Sequence, residues 1–228
     1  MPISSPGSAM PATASSAPSK GRVRRVNEAR ILRAAERVFA DSGFAGARMA
    51  EIAAAAGVPK ANLHYYFRSK RAIYRAVLDN ILALWLGETA AITATAEPAA
   101  ALEQYIRAKM HFSRRYPDAS RVFANEIIHG AQEIGGFLRG DMKALIDDKA
   151  AIIRGWIAAG RMAPIDPRHL FVAIWALTQT FADFAAQVHA VMGVKSLSEA
   201  QFAAATEEVV ALVLRGCAIH LASARAGE

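Results

Sequence analysis

An all-helical fold is predicted by three features of the amino-acid sequence. The chain of 228 residues is rich in alanine and leucine, and few of its segments alternate β-branched with polar residues. Apolar residues instead recur every three or four positions, which is the spacing that gives a helix one apolar face. Glycine and proline stand between these periodic segments, where they end one helix or begin the next. A chain of this length can bury one or two hydrophobic cores.

The N-terminal 25 residues are expected to form a disordered, basic tail. Residues 1–19 are mainly serine, alanine and proline without periodicity, a composition that cannot bury enough apolar surface to fold. The basic run KGRVRR follows at 20–25. Such an arm can lie along DNA phosphates or in a minor groove, and it can equally serve only to keep the chain in solution.

The first helix is expected from about Asn27 to Ser42, where Gly43 ends it. Its apolar stripe consists of Ile31, Leu32, Ala35, Val38 and Phe39. These positions share one helix face because they are spaced by three or four residues, so this face is expected to enter the core.

Two short helices joined by a glycine-centred turn come next. Met49, Ile52, Ala53 and Ala56 form one apolar face, and Gly57 supplies the left-handed backbone that commonly ends a helix. Pro59 suits the start of a second helix, which is expected over Lys60–Phe67. A helix, a short glycine-containing turn and a second short helix form the helix-turn-helix motif, whose second helix enters the DNA major groove.

The run from about Asn27 to Trp85 resembles the N-terminal domain of the TetR family of bacterial transcriptional repressors. The matching segments are ILRAAERVFADSGF (31–44), EIAAAAGV (51–58) and NLHYYFRSKRAIYRAVL (62–78). The most specific is Tyr-Tyr-Phe followed one residue later by Ser-Lys. The chain departs from the family in having Ala47 and Pro59 where a hydroxyl residue is usual, and each lost cap costs about 0.5–2 kcal/mol.

The second helix of the motif carries most of the side chains that we expect to contact DNA. Asn62 and His64 can meet base edges, whereas Lys60 and Tyr65 can bind phosphates. Tyr66 is open between a phosphate contact and core packing. The full set of predicted DNA-contact residues is Arg48, Lys60, Asn62, His64, Tyr65, Tyr66 and Lys70.

The excess positive charge lies in the same third of the chain. Residues 1–86 contain 13 Lys and Arg against 5 Asp and Glu, a net charge of +8. Residues 87–228 contain 14 against 15, a net charge of −1. A basic region joined to a neutral remainder is typical of a DNA-binding domain attached to a second domain, although an ordinary solvated surface is the alternative.

The remaining sequence predicts a helical C-terminal domain. A fourth helix runs from a cap at Ser69 to Trp85 and links the two parts. Further helices are expected at about 98–115, 118–129, 135–160, 167–191 and 198–222. We therefore predict a helix-turn-helix domain over 26–72 and a ligand-binding and dimerisation domain over 73–224.

The C-terminal segments make the family resemblance more specific. They are similar to the uracil- and thymine-responsive, pyrimidine-utilisation branch of the TetR family in ILALWL (81–86), EQYIRAKM (103–110), SRRYPDASRVFANEI (113–127), DMKALIDDKAAIIRGWIAAGRMAPIDPRHL (141–170) and IWALTQTFADFAAQV (174–188). The resemblance implies a homodimer that binds a pseudo-palindromic operator and responds to uracil or thymine.

Four residues are predicted to bind the ligand. Trp175, Gln179 and Asp183 are spaced by four, so they fall within about 80° on one face of an otherwise apolar helix. The glutamine amide has a donor beside an acceptor, which matches the C=O and N–H edge of uracil, and the carboxylate can accept from a ring N–H. Trp85 and Trp175 offer flat surfaces for a flat ring. Alternatively, Gln179 and Asp183 satisfy each other or a dimer partner, and both tryptophans are plain core residues.

Other classes of protein are disfavoured. The sequence has no catalytic motif, no phosphate-binding glycine loop and no metal-ligand spacing, so no cofactor, metal or enzyme activity is expected. No apolar run reaches the length of a membrane span, and the single Cys217 fits a reducing cytoplasm. A response to another small planar amide and a DNA-tethered enzyme remain as alternatives.

Overall fold

The structure is a computed structural model that describes residues 20–85 and 87–218. In this part of the chain the regular structure is helical throughout. The α-helices are α1 (Lys20–Gly46), α2 (Met49–Ala56), α3 (Lys60–Tyr66), α4 (Lys70–Trp85), α5 (Pro98–Arg115), α6 (Pro117–Ile128), α7 (Gly135–Phe137), α8 (Lys143–Ala158), α9 (Pro167–Asp183), α10 (Ala185–Val191) and α11 (Glu199–Gly216). A 3₁₀ turn spans Glu88–Ala91, and a π-helical turn spans Leu138–Met142.

Most helix bounds match the sequence expectations within one or two residues, and four segments differ. Helix α1 begins at Lys20, so the described part of the predicted basic tail is helical, while residues 1–19 lie outside the described part. The helix expected at 135–160 contains the π-helical turn Leu138–Met142, where Gly140 lowers the helix propensity. The helix expected at 167–191 is broken at Phe184, and the last helix ends at Gly216.

The helix-turn-helix is built by local backbone hydrogen bonds. Gly57 ends α2 with a φ of 62°, and its N–H donates to the Ala54 carbonyl at 3.0 Å. The Val58 N–H donates to the Ala53 carbonyl at 3.0 Å, which is the double-bonded helix end that a left-handed glycine allows. Ser69 caps α4, as expected, because its hydroxyl oxygen accepts the Ala72 N–H at 3.1 Å.

The buried residues form two hydrophobic cores. The first, called here the N-terminal core, contains residues of the four helices α1, α2, α3 and α4, such as Ile31, Ile52, Leu63 and Ile73. It also contains buried residues of α6. The second, called the C-terminal core, joins α5, α8, α9 and α11 through residues such as Ile106, Trp156, Phe171 and Leu214. Cys217 is buried in the C-terminal core, where it packs as a small apolar side chain.

Helix α6 belongs to the predicted C-terminal domain by sequence but packs into the N-terminal core. It buries Ala119, Val122 and Phe123 there, against the side chains of α1 and α4. A movement of α6 therefore acts directly on the helices that hold the helix-turn-helix. None of the described helices is long and apolar enough to cross a membrane.

Candidate functional site

A cavity of about 380 Å³ lies where the two cores meet. Leu82, Trp85 and Phe123 reach it from the N-terminal core, and Tyr105 and Ile146 reach it from the side of the C-terminal core. Its other lining residues are Glu88, Thr89, Lys109, Ile127, Phe137, Leu138, Met142, Leu145, Trp175 and Gln179. The walls are mostly apolar and aromatic with a few polar groups, the usual construction of a small-molecule site.

Three of the four predicted ligand residues line this cavity, and the fourth does not. Trp85, Trp175 and Gln179 come together on its wall, although 90 residues separate Trp85 from Trp175. Asp183 ends α9 beside α6, where its carboxylate accepts the Ser120 hydroxyl at 2.6 Å. Asp183 is thus held by Ser120 outside the lining, and its binding to a ligand stays a prediction. The partner of Asp183 is therefore Ser120, and not Gln179 as in the alternative interpretation. Burial raises the pKa of the Asp183 carboxyl group.

Trp175 is held in place by a buried tyrosine. Its indole Nε1–H donates to the Tyr105 hydroxyl at 2.7 Å. Tyr105 is itself packed edge-on against Phe171, with ring centroids 5.7 Å apart, and burial raises the pKa of its phenol. A hydrogen bond between two ring systems fixes both planes, so Trp175 presents a flat, pre-oriented surface at the cavity.

Trp85 is fixed by aromatic packing rather than by a hydrogen bond. Its ring lies edge-on to Phe123 at 4.3 Å and to Phe112 at 5.7 Å between centroids. Among the described residues, the indole Nε1 of Trp85 is buried and has no hydrogen-bond partner. Leaving a buried donor unpaired costs about 1–3 kcal/mol. An acceptor on a bound ligand would remove this cost by pairing with the indole N–H.

A buried ion pair on the cavity wall was missed by the sequence reasoning. The Lys109 ammonium lies 3.3 Å from the Glu88 carboxylate and 4.3 Å from the centroid of the Trp85 ring. Burial lowers the pKa of Lys109 and raises the pKa of Glu88, and each charge opposes the shift of the other. Lys109 follows Tyr105 by four on the apolar face of α5, a spacing that signals a buried lysine. Nothing in the sequence pairs it with Glu88.

The predicted DNA-contact residues lie mostly on one exposed helix. Lys60, Asn62, His64 and Tyr65 are exposed on α3, with 73% of Tyr65 accessible. Arg48 is exposed immediately before α2, and its backbone N–H donates to Glu51 Oε2 at 3.1 Å.

Tyr66 and Lys70 have contacts within the fold. The Tyr66 hydroxyl accepts from Asn27 Nδ2 at 3.1 Å, which ties α3 to α1. The Lys70 ammonium donates to the carbonyls of Ala47 at 2.8 Å and Ala45 at 3.2 Å. Lys70 thus holds the start of α4 against the segment before α2, a structural role that sequence reasoning missed, and two of its three donors are occupied.

Comparison with known proteins matches both parts of the chain to one family. The profile described as "Bacterial regulatory proteins, tetR family" matches residues 31–77. The profile described as "YcdC-like protein, C-terminal region" matches residues 78–220. The chain belongs to the TetR family of bacterial transcriptional regulators. The predicted all-α fold with an N-terminal helix-turn-helix is confirmed, and the matched proteins are regulators, not enzymes.

Individual TetR-family relatives cover most of the chain. HTH-type transcriptional regulator RutR of Escherichia coli strain K12 is 48% identical over 186 residues, which is 82% of this chain and 88% of that protein. HTH-type transcriptional repressor NicS of Pseudomonas putida is 29% identical over 132 residues, 58% of this chain and 61% of that protein. The crystal structure of the putative regulator SCO4942 from Streptomyces coelicolor superposes with a TM-score of 0.60 at 28% identity, covering 82% of this chain and 97% of that one.

The buried ion pair gives a stability prediction. Glu88→Gln leaves the buried Lys109 charge without its nearest counter-charge, so we expect the free energy of unfolding to fall by about 3–5 kcal/mol. The double variant Glu88→Gln/Lys109→Met removes both charges and should lose less than the single variant. Urea unfolding followed by circular dichroism measures both.

Glu97→Gln is the matched control for this prediction. Glu97 pairs with Arg161 at 3.1 Å on the surface, where an ion pair contributes about 0–1 kcal/mol. An equal loss of stability in Glu88→Gln and Glu97→Gln would show that the Lys109–Glu88 pair carries no buried charge.

Proposed function

We propose that the protein is a repressor of pyrimidine metabolism whose hold on operator DNA is changed by uracil or thymine. The observation that carries this proposal is the position of the cavity. Trp85 on its wall belongs to α4, which packs in the core of the DNA-binding domain, whereas Trp175 and Gln179 belong to α9. A ligand between these helices is placed to change how the two cores fit together.

The chemistry of the wall suits a flat ring with alternating donors and acceptors. The Gln179 amide can pair with an adjacent C=O and N–H, and the Lys109 ammonium can donate to a carbonyl oxygen. The Trp85 and Trp175 rings provide flat apolar surfaces on the same wall. Uracil and thymine carry this pattern of groups, while cytosine presents a different edge. The 48% identity with RutR supports a role in pyrimidine-related regulation. The choice of uracil and thymine as effectors follows the resemblance of the sequence to the uracil- and thymine-responsive branch of the family.

The exposed face of α3 is the proposed DNA-contact surface. Lys60 at the start of the helix can bind a phosphate, and Asn62 and His64 can meet base edges in the major groove. The net charge of +8 over residues 1–86 adds a sequence-independent attraction to DNA.

A homodimer is part of the proposal. Apolar side chains on α9, α11 and the segment around α10 are exposed in the single chain, including Val172, Phe184, Val191, Met192 and Leu212. Burying such a surface against a second copy related by a two-fold axis favours a dimer. A two-fold dimer reads a pseudo-palindrome with half-sites about one helical turn apart.

The proposed response has two states. The protein with an empty cavity holds the recognition helices at the spacing of the operator, and the ligand favours a second arrangement of α4. Coupling between two sites is typically worth about 1–3 kcal/mol, which is a change of roughly 5–150-fold in DNA affinity. Without differential affinity for the two states, the ligand would change nothing.

Gln179 provides the direct test of the ligand site. In Gln179→Ala we expect the uracil response to be lost while DNA affinity without ligand stays unchanged, because Gln179 lies in the cavity and far in sequence from the helix-turn-helix. Fluorescence anisotropy with a duplex that the wild-type protein has selected from a random pool, with and without uracil, measures both quantities.

Gln104→Ala is the control, because Gln104 is exposed on α5 and does not line the cavity. Normal release of DNA by uracil in Gln179→Ala would show that the site is assigned wrongly. A response of the wild-type protein to another planar amide, but not to uracil or thymine, would keep the site and change the effector.

The two kinds of DNA contact predict different losses. Lys60→Ala should weaken binding to all duplexes about equally and lower the salt slope by about 1, because one phosphate contact is lost. Asn62→Ala should weaken binding to the selected duplex by about 1–3 kcal/mol and relax the base preference of the protein.

Anisotropy titrations over a range of salt concentrations distinguish the Lys60→Ala and Asn62→Ala effects, with Lys195→Ala as the control for loss of an exposed lysine. Unchanged salt slopes and preferences in both variants would remove α3 from the interface.

A further inference from the structure

The connection between α6 and α7, residues 129–134, is fastened to the start of α4 by an ion-pair cluster. The Glu133 carboxylate binds two arginines of α4 that are one turn apart. Its Oε1 lies 2.7 Å from Arg71 Nε and its Oε2 lies 2.8 Å from Arg75 Nε. Only 7% of the Glu133 side chain is exposed, although both arginines reach solvent. Each carboxylate oxygen therefore has its own charged partner, which fixes the orientation of the whole group.

A second carboxylate, Glu126, reinforces this contact from the last turns of α6. Glu126 is 6% exposed, and its Oε2 accepts the Tyr74 hydroxyl of α4 at 3.0 Å. Its Oε1 accepts the backbone N–H of Glu133 at 2.6 Å. Glu126 thus holds Glu133 in place while also binding α4. Burial, followed by the hydrogen bond to Glu126, raises the pKa of Tyr74.

The connection itself is a tight backbone structure. Gly130 and Ala131 both have positive φ, 89° and 54°, and the Ala131 N–H donates to the Glu126 carbonyl at 2.8 Å. A left-handed alanine persists only where the surrounding contacts enforce it. Ile134 closes the segment by burying its side chain in the N-terminal core. A segment built in this way transmits a displacement instead of absorbing it.

Both ends of the connection lead into the cavity. Ile127 lines the cavity two residues before His129, and Phe137 and Leu138 line it a few residues after Ile134. A ligand that moves these side chains moves the backbone that carries Glu133. Glu133 does not line the cavity, so it responds to the ligand through the backbone of the connection and through α4 and α6, which carry its partners Arg71, Arg75 and Glu126.

The ion-pair cluster binds the N-terminal end of α4, which packs against the helix-turn-helix. Arg71 directly follows Lys70, whose ammonium holds the carbonyls of Ala45 and Ala47 just before α2. The opposite end of α4 contributes Leu82 and Trp85 to the cavity. Helix α4 is therefore held at two points that both depend on the cavity, one directly and one through Glu133.

We propose that Glu133 is a positioning residue that transmits occupancy of the cavity to the DNA-binding domain through Arg71 and Arg75. This inference rests on the proposed uracil- or thymine-responsive function. Removing the Glu133 charge releases the start of α4 from the α6–α7 connection, so the ligand still binds but no longer changes DNA affinity.

Glu133→Gln tests this role through the ratio of DNA dissociation constants with and without saturating uracil. The duplex is again one selected by the wild-type protein from a random pool, and calorimetry gives the uracil affinity. The wild-type ratio is expected within the roughly 5–150-fold range of allosteric coupling, and the Glu133→Gln ratio is expected below about twofold. Uracil affinity should stay within about twofold of wild type, because Glu133 does not touch the cavity.

Asp147→Asn is the matched control. Asp147 also binds two cations, Lys143 and Arg168, but on α8 and α9 instead of α4. A merely structural role for Glu133 predicts that both variants lower the melting temperature and keep the wild-type ratio, whereas the proposal predicts loss of the ratio in Glu133→Gln alone. Arg75→Gln breaks the cluster from the α4 side and serves if Glu133→Gln does not fold; its ratio should also fall.

The outcomes separate the two proposals. If the wild-type protein responds to uracil and the Glu133→Gln and Arg75→Gln variants respond equally, Glu133 does not transmit the signal. The proposed function is then unaffected. A wild-type protein that binds its duplex with no change on adding uracil overturns both.

Discussion

The packing of Phe123 against Trp85 joins the parts of this molecule on which its function depends. Phe123 belongs to α6 and Trp85 to α4, and their rings meet edge-on at 4.3 Å. The same two side chains belong to the N-terminal core and to the cavity wall. Aromatic pairs of this kind add about 0.5–1.5 kcal/mol beyond their burial. Because both rings also line the cavity, the N-terminal core borders the cavity directly.

The charged residues at the surface and those in the interior differ in how strongly salt screens them. Exposed cations on the helix-turn-helix act at long range, and salt screens their interaction with other charges. We propose that they attract DNA. The buried Lys109–Glu88 pair and the Glu133 cluster lie where screening is weak, so small changes in geometry change their energy more. Buried charges of this kind suit the proposed response, in which a small internal displacement changes the affinity for DNA.

Local sequence patterns were enough to locate most helices but not the contacts between them. The α2–turn–α3 segment was predictable because Gly57 and Pro59 act on the backbone within a few residues. Trp85, Trp175 and Gln179 lie on the wall of one cavity, the grouping that helical spacing and the family resemblance together predict. Whether they bind ligand, and whether the residues of α3 bind DNA, stays a prediction.

The contacts that the sequence did not reveal are tertiary contacts between distant segments. Asp183 shares a helix face with Gln179 in the sequence, yet it faces Ser120 because α9 ends against α6. The Lys109–Glu88 and Glu133–Arg75 pairs join residues that no periodicity relates. The break at Phe184 and the helical conformation of residues 20–25 carried no signal that the sequence reasoning used.

The measurement that tests the central claim most directly is a thermal melt of the purified protein with uracil, thymine, cytosine and no ligand. A ligand at about 100 times its dissociation constant adds roughly 2.7 kcal/mol to the stability of the folded state. A higher melting temperature with uracil and thymine, but not with cytosine, is the expected result, because cytosine presents a different edge to Gln179. No increase with uracil or thymine would contradict a pyrimidine site between the two cores.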